Sequence, residues 1–168
     1  MSNKSYNSIR NSPIYNGCGC LAIFVFYGLA IAGLISSLFF SGSSPQKAKQ
    51  SEAKQYVDSI NKAQQAYFAE ESVFRTSVEA LGLGLKTETT NYKYSVRTTK
   101  KAAFSYAVSK QKELKSYVGG VFVVSVKDGS STRRIFCQAD SPGTINPLPP
   151  RLQNGQLVCE TGTTQVTK

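Results

Sequence analysis

The stretch PQKAKQSEAKQYVDSINKAQQAYF, residues 45–68, decides the fold. Its apolar members Ala53, Tyr56, Val57, Ile60, Ala63, Tyr67 and Phe68 recur at steps of three and four, the spacing that gathers side chains on one face of an α-helix. Lys54, Asp58, Lys62 and Gln65 fall elsewhere around the wheel. Ser44-Pro45 supplies a start signal, a capping hydroxyl followed by proline at the first helical position. The pattern predicts a helix running to about Glu70 with one apolar stripe that needs an apolar surface to cover it.

The residues downstream offer that surface. Ser72-Val73-Phe74 reads as a turn, and Thr76-Ser77-Val78-Glu79 has capping-box spacing for a short helix ending at Gly82 or Gly84. The period then changes to two. Tyr92, Tyr94 and Val96 alternate with Lys93, Ser95 and Arg97, and Ala102, Phe104, Tyr106 and Val108 repeat the alternation. Val121–Val126 is rich in β-formers on both faces, as a central strand would be. Lys127-Asp128-Gly129-Ser130 is a hairpin signal with Arg133–Ala139 as the returning strand. A last short strand is expected at Leu157–Glu160, and Gly82-x-Gly84 and Gly119-Gly120 read as turns. One long helix followed by an antiparallel sheet of about four strands is an α+β arrangement.

Upstream the composition shifts. Residues 17–40, GCGCLAIFVFYGLAIAGLISSLFF, are 24 positions without a charge, and no charged side chain occurs between Arg10 and Lys47. A bilayer core of about 30 Å needs roughly 20 helical residues, so this segment is expected to span a membrane, anchored through Leu21, Ile23, Phe24, Leu29, Ile31, Leu34 and Leu38. A cleaved signal peptide is the rival reading. Its apolar core is shorter, about 7–15 residues, and it ends in small residues, whereas this run stays bulky through Leu38, Phe39 and Phe40. Ser41-Gly42-Ser43-Ser44 still offers a permissive peptidase a substrate, but the length of the apolar run favours a retained span. A lipoprotein reading of Cys18 or Cys20 fails, because the apolar run follows these cysteines. Cys18-Gly19-Cys20 fits acylation, a soft metal, or two inert small residues at a helix start.

The chain of 168 residues has room for one domain of roughly 100–150 residues plus an anchor. The expected organisation is a polar cytoplasmic tail at 1–16, a transmembrane helix at 17–40, a break at 41–45 and a domain at 46–168 outside the cytoplasm. Lys4 and Arg10 before the span suit a cytoplasmic flank, but Lys47, Lys49 and Lys54 follow it, so charge alone does not set the orientation. Cysteine usage says more. Cys137 and Cys159 flank 21 residues rich in proline and glycine. They suit either a disulfide formed in an oxidising compartment or two unpaired thiols. The first reading places the N-terminus in the cytoplasm and the domain in the periplasm or at the cell surface, as in a single-pass protein of the cytoplasmic membrane.

Net charge is +10, and 11 of the Lys and Arg residues fall between Lys86 and Arg134, against Glu88, Glu113 and Asp128. This is either a solvated basic surface or a face for anionic material: polysaccharide, nucleic acid or lipid headgroups. The candidate face comprises Lys93, Arg97, Lys100, Lys101, Arg133 and Arg134. Catalytic signals are sparse. The chain holds no histidine, which removes histidine bases, Ser-His and Cys-His pairs and histidine-bound zinc. No glycine-rich nucleotide loop, paired carboxylates or calcium loop stands out. The expectation is a protein that is not an enzyme, with no cofactor, no metal and no small-molecule substrate.

Residues 45–57 with 59–68, the aromatic-led turn and Leu-Gly segment from Phe74 to Gly84, the Asn-Tyr-x-Tyr strand at Asn91–Tyr94, Tyr-x-Gly-Gly at Tyr117–Gly120, and Cys137 followed by Pro142-Gly143 form a series. Over about residues 45–160 this series resembles the type IV pilin-like G/H proteins. The resemblance implies a long helix on an antiparallel sheet, with a C-terminal loop stapled by a disulfide and exposed for recognition. Cys137 and Cys159 match the position of that staple. It implies partners among other pilin-like or pilus and secretion proteins, besides membrane lipid. The chain departs from the pilin pattern at its N-terminus. No Phe-Thr-Leu-Ile-Glu follows Gly17 or Gly19, and no acid lies in residues 11–51, so the charge that sets register in a pilin filament is missing.

Overall fold

The computed structural model describes residues 44–167. The expected span at 17–40, its seven anchor residues, the tail at 1–16 and Cys18-Gly19-Cys20 lie outside the described residues.

The helix starts where the sequence places it. Helix α1 covers Pro45–Glu71, with proline in its first turn and the Ser44 hydroxyl accepting from the Lys47 amide at 3.4 Å. It ends at Ser72, whose left-handed backbone (φ 58°) lets its amide donate to the Phe68 carbonyl at 2.9 Å. A single 3-10 turn, Glu79–Leu81, follows. Its N-cap is Val78, which has no capping side chain, and the Ser77 hydroxyl just before it accepts from the Ala80 amide at 3.1 Å; the expected capping box from Thr76 is not formed. Gly82 ends the turn at φ 64°.

Seven strands follow: β1 (Tyr92–Thr98), β2 (Ala102–Ser109), β3 (Tyr117–Val126), β4 (Gly129–Ala139), β5 (Arg151–Gln153), β6 (Gln156–Val158) and β7 (Thr163–Gln165). The main sheet has five antiparallel strands in the order β1-β2-β3-β4-β7, with β5-β6 a separate hairpin. The fold is therefore α+β, with one strand more than the expected four. The extra strand, Thr163–Gln165, carries no apolar alternation; it pairs with Cys137–Ala139 as a polar edge. The expected strand at Leu157–Glu160 lies in the hairpin outside the main sheet. The cause is Asn154-Gly155, whose positive φ values of 50° and 76° make a tight two-residue turn and fold β6 back on β5.

Both faces of the sheet are covered. Against one lies α1: Ala53, Val57 and Ile60 pack with Tyr92, Tyr94, Ala107 and Tyr117, closed off by Val78, Leu81 and Leu114. Each fully buried aliphatic side chain contributes about 1.5–3 kcal/mol. Further along, Phe68 and Phe74 meet Ala103 and Val121. Ala102, Tyr106, Val118, Phe122, Ile135 and Cys137 fill the opposite face under Leu157 and Cys159.

The helix stripe contains two residues the periodicity did not select. Asn61 and Gln64 are buried with the apolar set. Asn61 accepts from the Ser105 hydroxyl at 2.6 Å and donates to the Ile135 carbonyl at 3.5 Å. Gln64 accepts from the Arg75 amide at 3.0 Å and donates to the Arg75 carbonyl at 2.7 Å, pinning the chain as it returns from α1. Apolar contact is non-directional; these amides fix how far along and at what rotation the helix lies.

Gly119-Gly120 is a second correction. The pair sits inside β3, paired with Ser105 and Phe104 on one side and with Phe136 and Ile135 on the other. A Cβ on Gly119 would lie 2.6 Å from Asn61 Oδ1 and 2.7 Å from Ser105 Oγ. On Gly120 it would lie 2.7 Å from Pro150 Cγ. The two glycines admit α1 to one face and the C-terminal loop to the other.

Candidate interaction surface

Cys137, buried on β4, forms a disulfide with Cys159, their Cα atoms 5.8 Å apart. The bond closes a loop over the sheet face that α1 leaves uncovered. By loop entropy such a closure contributes about 3 kcal/mol.

Hydrogen bonds hold the loop at both ends. As it leaves β4, the Ala139 amide donates to the Ser116 carbonyl and the Gly143 amide to the Leu114 carbonyl, each at 2.9 Å. The Ser116 hydroxyl donates to the Gly143 carbonyl at 3.3 Å. Pro147 and Pro150 are buried, and Pro150 reaches the sheet over Gly120. The β5-β6 hairpin then runs out to Gly155, whose carbonyl accepts from Arg133 Nη1 at 3.0 Å. Arg151 and Glu160 pair across the hairpin's base at 2.8 Å. Beyond Cys159, the Asp140 amide donates to the Gly162 carbonyl at 3.0 Å, and the Thr164 hydroxyl to Asp140 Oδ1 at 2.6 Å.

This rigid frame displays apolar side chains to solvent. Ile145 is 81% exposed, Leu148 57% and Leu152 42%. Ile145, Leu148 and Pro147 line a shallow cleft of about 280 Å³ with Asp140, Pro142 and Thr161. A covalently closed, hydrogen-bonded loop loses little conformational entropy on contact, so exposed leucine and isoleucine there favour association. Asp140 is the one carboxylate among the residues that line the cleft, and it accepts from the Thr164 hydroxyl; the other lining residues are apolar, glycine, or neutral polar.

The six cations read from the sequence do not share one face. Strand alternation puts Arg133 and Arg134 on opposite sides of β4. Arg133 lies with Phe122 on the loop-covered face, while Arg134 lies with Val121 on the helix side, 3.5 Å from Asp58. Lys93 and Arg97 project away from α1, the Arg97 guanidinium 5.6 Å from the Tyr106 ring. Lys100 and Lys101 are in the β1-β2 turn. Residues Ile145, Leu148 and Leu152 were missed as site candidates because a proline-rich stretch gives no periodic signal.

A family model described as type IV pilin-like G and H matches residues 50–160, more than half of the chain. No curated protein and no solved structure matches it.

Proposed function

Because the chain belongs to the type IV pilin-like G and H family, we propose that it is a non-catalytic, membrane-anchored component of type IV pilus or related secretion machinery, an accessory or minor part working through protein contacts. The observation that carries the reading is the disulfide-closed loop: three of the six large apolar side chains exposed among the described residues, Ile145, Leu148 and Leu152, lie within it. The staple supports an oxidising compartment, hence a domain in the periplasm or at the cell surface with the N-terminus in the cytoplasm. The uncharged run at 17–40 supports the anchor, and the lack of a glutamate within that run supports a role other than that of a filament subunit.

Two measurements test this. The first is the intact mass and N-terminal sequence of protein isolated from membranes, with and without reduction. An uncleaved, oxidised chain is expected. A chain beginning near Gly17–Leu21 would make it a processed filament subunit instead. The second places a photo-crosslinking amino acid at Leu148, at Leu152 or, as a control, at Lys62 on the exposed side of α1. Adducts with pilus or secretion components are expected from the loop positions. Adducts from Lys62 alone would move the contact surface to the helix.

A further inference from the structure

The two ends of the domain differ in charge. At the start of α1 lie Lys47, Lys49 and Lys54 with Glu52, and the β2-β3 turn brings Lys110, Lys112 and Lys115 with Glu113 to the same end, so that with Glu88 six lysines face three carboxylates. Tertiary bonds fix this juxtaposition. The Tyr117 hydroxyl donates to Gln50 Oε1 at 2.9 Å, the Tyr94 hydroxyl to Glu52 Oε1 at 2.9 Å, and the Tyr92 hydroxyl to the Lys115 carbonyl at 3.1 Å. Lys54 Nζ stands 5.8 Å from the Tyr117 ring. Of the six lysines, Lys110 alone is ion-paired among the described residues, to the exposed Glu88. The other end, where Ser72–Phe74 meet Thr99 and Lys100, is closer to balance: Arg75, Lys100, Lys101 and Lys127 stand against Glu70, Glu71 and Asp128.

Chain connectivity gives the basic end its neighbour. Pro45 follows Phe40, the last residue of the uncharged run, by five residues, a reach of at most about 18 Å when extended. Lysines tethered within that reach match the headgroup layer of an anionic bilayer.

We propose that the helix-start end of the domain, through Lys47, Lys49, Lys54, Lys110, Lys112 and Lys115, rests on the anionic headgroups of the membrane that holds the chain, and so orients the disulfide loop relative to that membrane. This rests on the anchored reading of residues 17–40. Each lysine at the headgroups strengthens the contact by about fivefold. The contact weakens with salt over a Debye length of about 10 Å at 0.1 M.

The test uses the full-length protein in lipid nanodiscs of phosphatidylcholine, with or without phosphatidylglycerol. Amine-labelling rates are read lysine by lysine by mass spectrometry. In anionic discs, labelling of Lys110, Lys112 and Lys115 is slowed by about fivefold or more relative to neutral discs. High salt removes the difference, and Lys100, Lys101 and Lys127 label alike in both. The triple reversal K110E/K112E/K115E, at surface positions, erases the protection at Lys47 and Lys49; K100E/K101E/K127E leaves it. Equal rates in both discs, or protection at Lys100 and Lys101 instead, would overturn the proposal while the anchor stood. Failure to enter either disc would overturn the anchored reading and this proposal with it.

Discussion

Replacing Gly119 with alanine adds one methyl group, and the structure states what that methyl meets. The new Cβ would sit 2.6 Å from Asn61 Oδ1 and 2.7 Å from Ser105 Oγ. Both side chains are buried and hydrogen-bonded to each other at 2.6 Å, so neither can swing into solvent. Two effects oppose. Alanine restricts the unfolded chain and stabilises by about 0.4–1 kcal/mol where its conformation fits. Overpacking costs about 1–3 kcal/mol, and breaking the Asn61–Ser105 bond leaves buried polar atoms unpaired for about 1–3 kcal/mol more. The collision wins, for a net loss of about 3 kcal/mol, or roughly 10 °C in Tm for a domain of this size. Urea unfolding of the oxidised full-length protein in detergent, followed by circular dichroism, measures it. The collision has a defined partner, Asn61. With Asn61→Ala as background, the main obstacle is gone, and G119A should then cost at least about 1 kcal/mol less than in the wild type. Additive losses in that double-mutant cycle, or a neutral G119A, would refute a close approach of helix and strand at this point.

Gly120→Ala collides instead with Pro150 and Phe122, so it should cost about 1–3 kcal/mol and loosen the loop, read as faster amide exchange at residues 151–158. Reducing the Cys137–Cys159 disulfide, or replacing both cysteines with serine, should lower stability by about 3 kcal/mol; identical urea midpoints before and after reduction would contradict this. Gln64→Ala removes both hydrogen bonds to the Arg75 backbone in a buried site and should cost about 2–3 kcal/mol by the same assay. Burial holds the Tyr92 phenol above the usual tyrosine range, as does burial joined by the hydrogen bond to Glu52 for Tyr94, and burial pushes Tyr117 up to about 12. In the unfolded chain these phenols ionise near pH 10, so above that pH the folded state binds more protons and stability must fall as pH rises. Stability is expected to be flat with respect to these groups below about pH 10 and to drop above it by up to about 1.4 kcal/mol per pH unit for each phenol that stays protonated. Phenolate absorbance should rise together with loss of circular dichroism; ionisation of these tyrosines in a still-folded domain would sink the assignment.

The helix start, the central strand and its hairpin were legible because each is written locally. Ser44-Pro45 needs no distant partner, and the two-residue turn at Lys127-Asp128 joins two β-rich runs. What escaped depends on residues far away in the chain. Asn61 and Gln64 look like solvent-facing amides until Ser105 and the Arg75 backbone are brought to them. Gly119-Gly120 looks like a turn until both faces of β3 are covered at once. Strand β7 is Thr-Thr-Gln, without an apolar side to reveal it. The basic face failed as a single surface through parity: adjacent arginines in a strand point opposite ways. The docking loop was half legible, since two cysteines around a proline-rich stretch suggest a closed loop but say nothing of which of its side chains stay exposed.

The glycine pair also couples the helix to the loop. Gly119 seats the helix through Asn61, and Gly120 seats the loop through Pro150, so the helix and the loop are registered against the same two peptide units of β3. The helix cannot shift along the sheet without breaking the Asn61, Gln65 and Gln50 bonds. The loop cannot shift without breaking the Ala139 and Gly143 bonds and straining the disulfide. A displacement of α1 would therefore reach the loop through a single strand, without a soft hinge between them. For a domain proposed to hang from a membrane by the helix and to meet its partner by the loop, that rigidity means the orientation set at the helix-start end is the orientation in which Leu148 and Leu152 are offered.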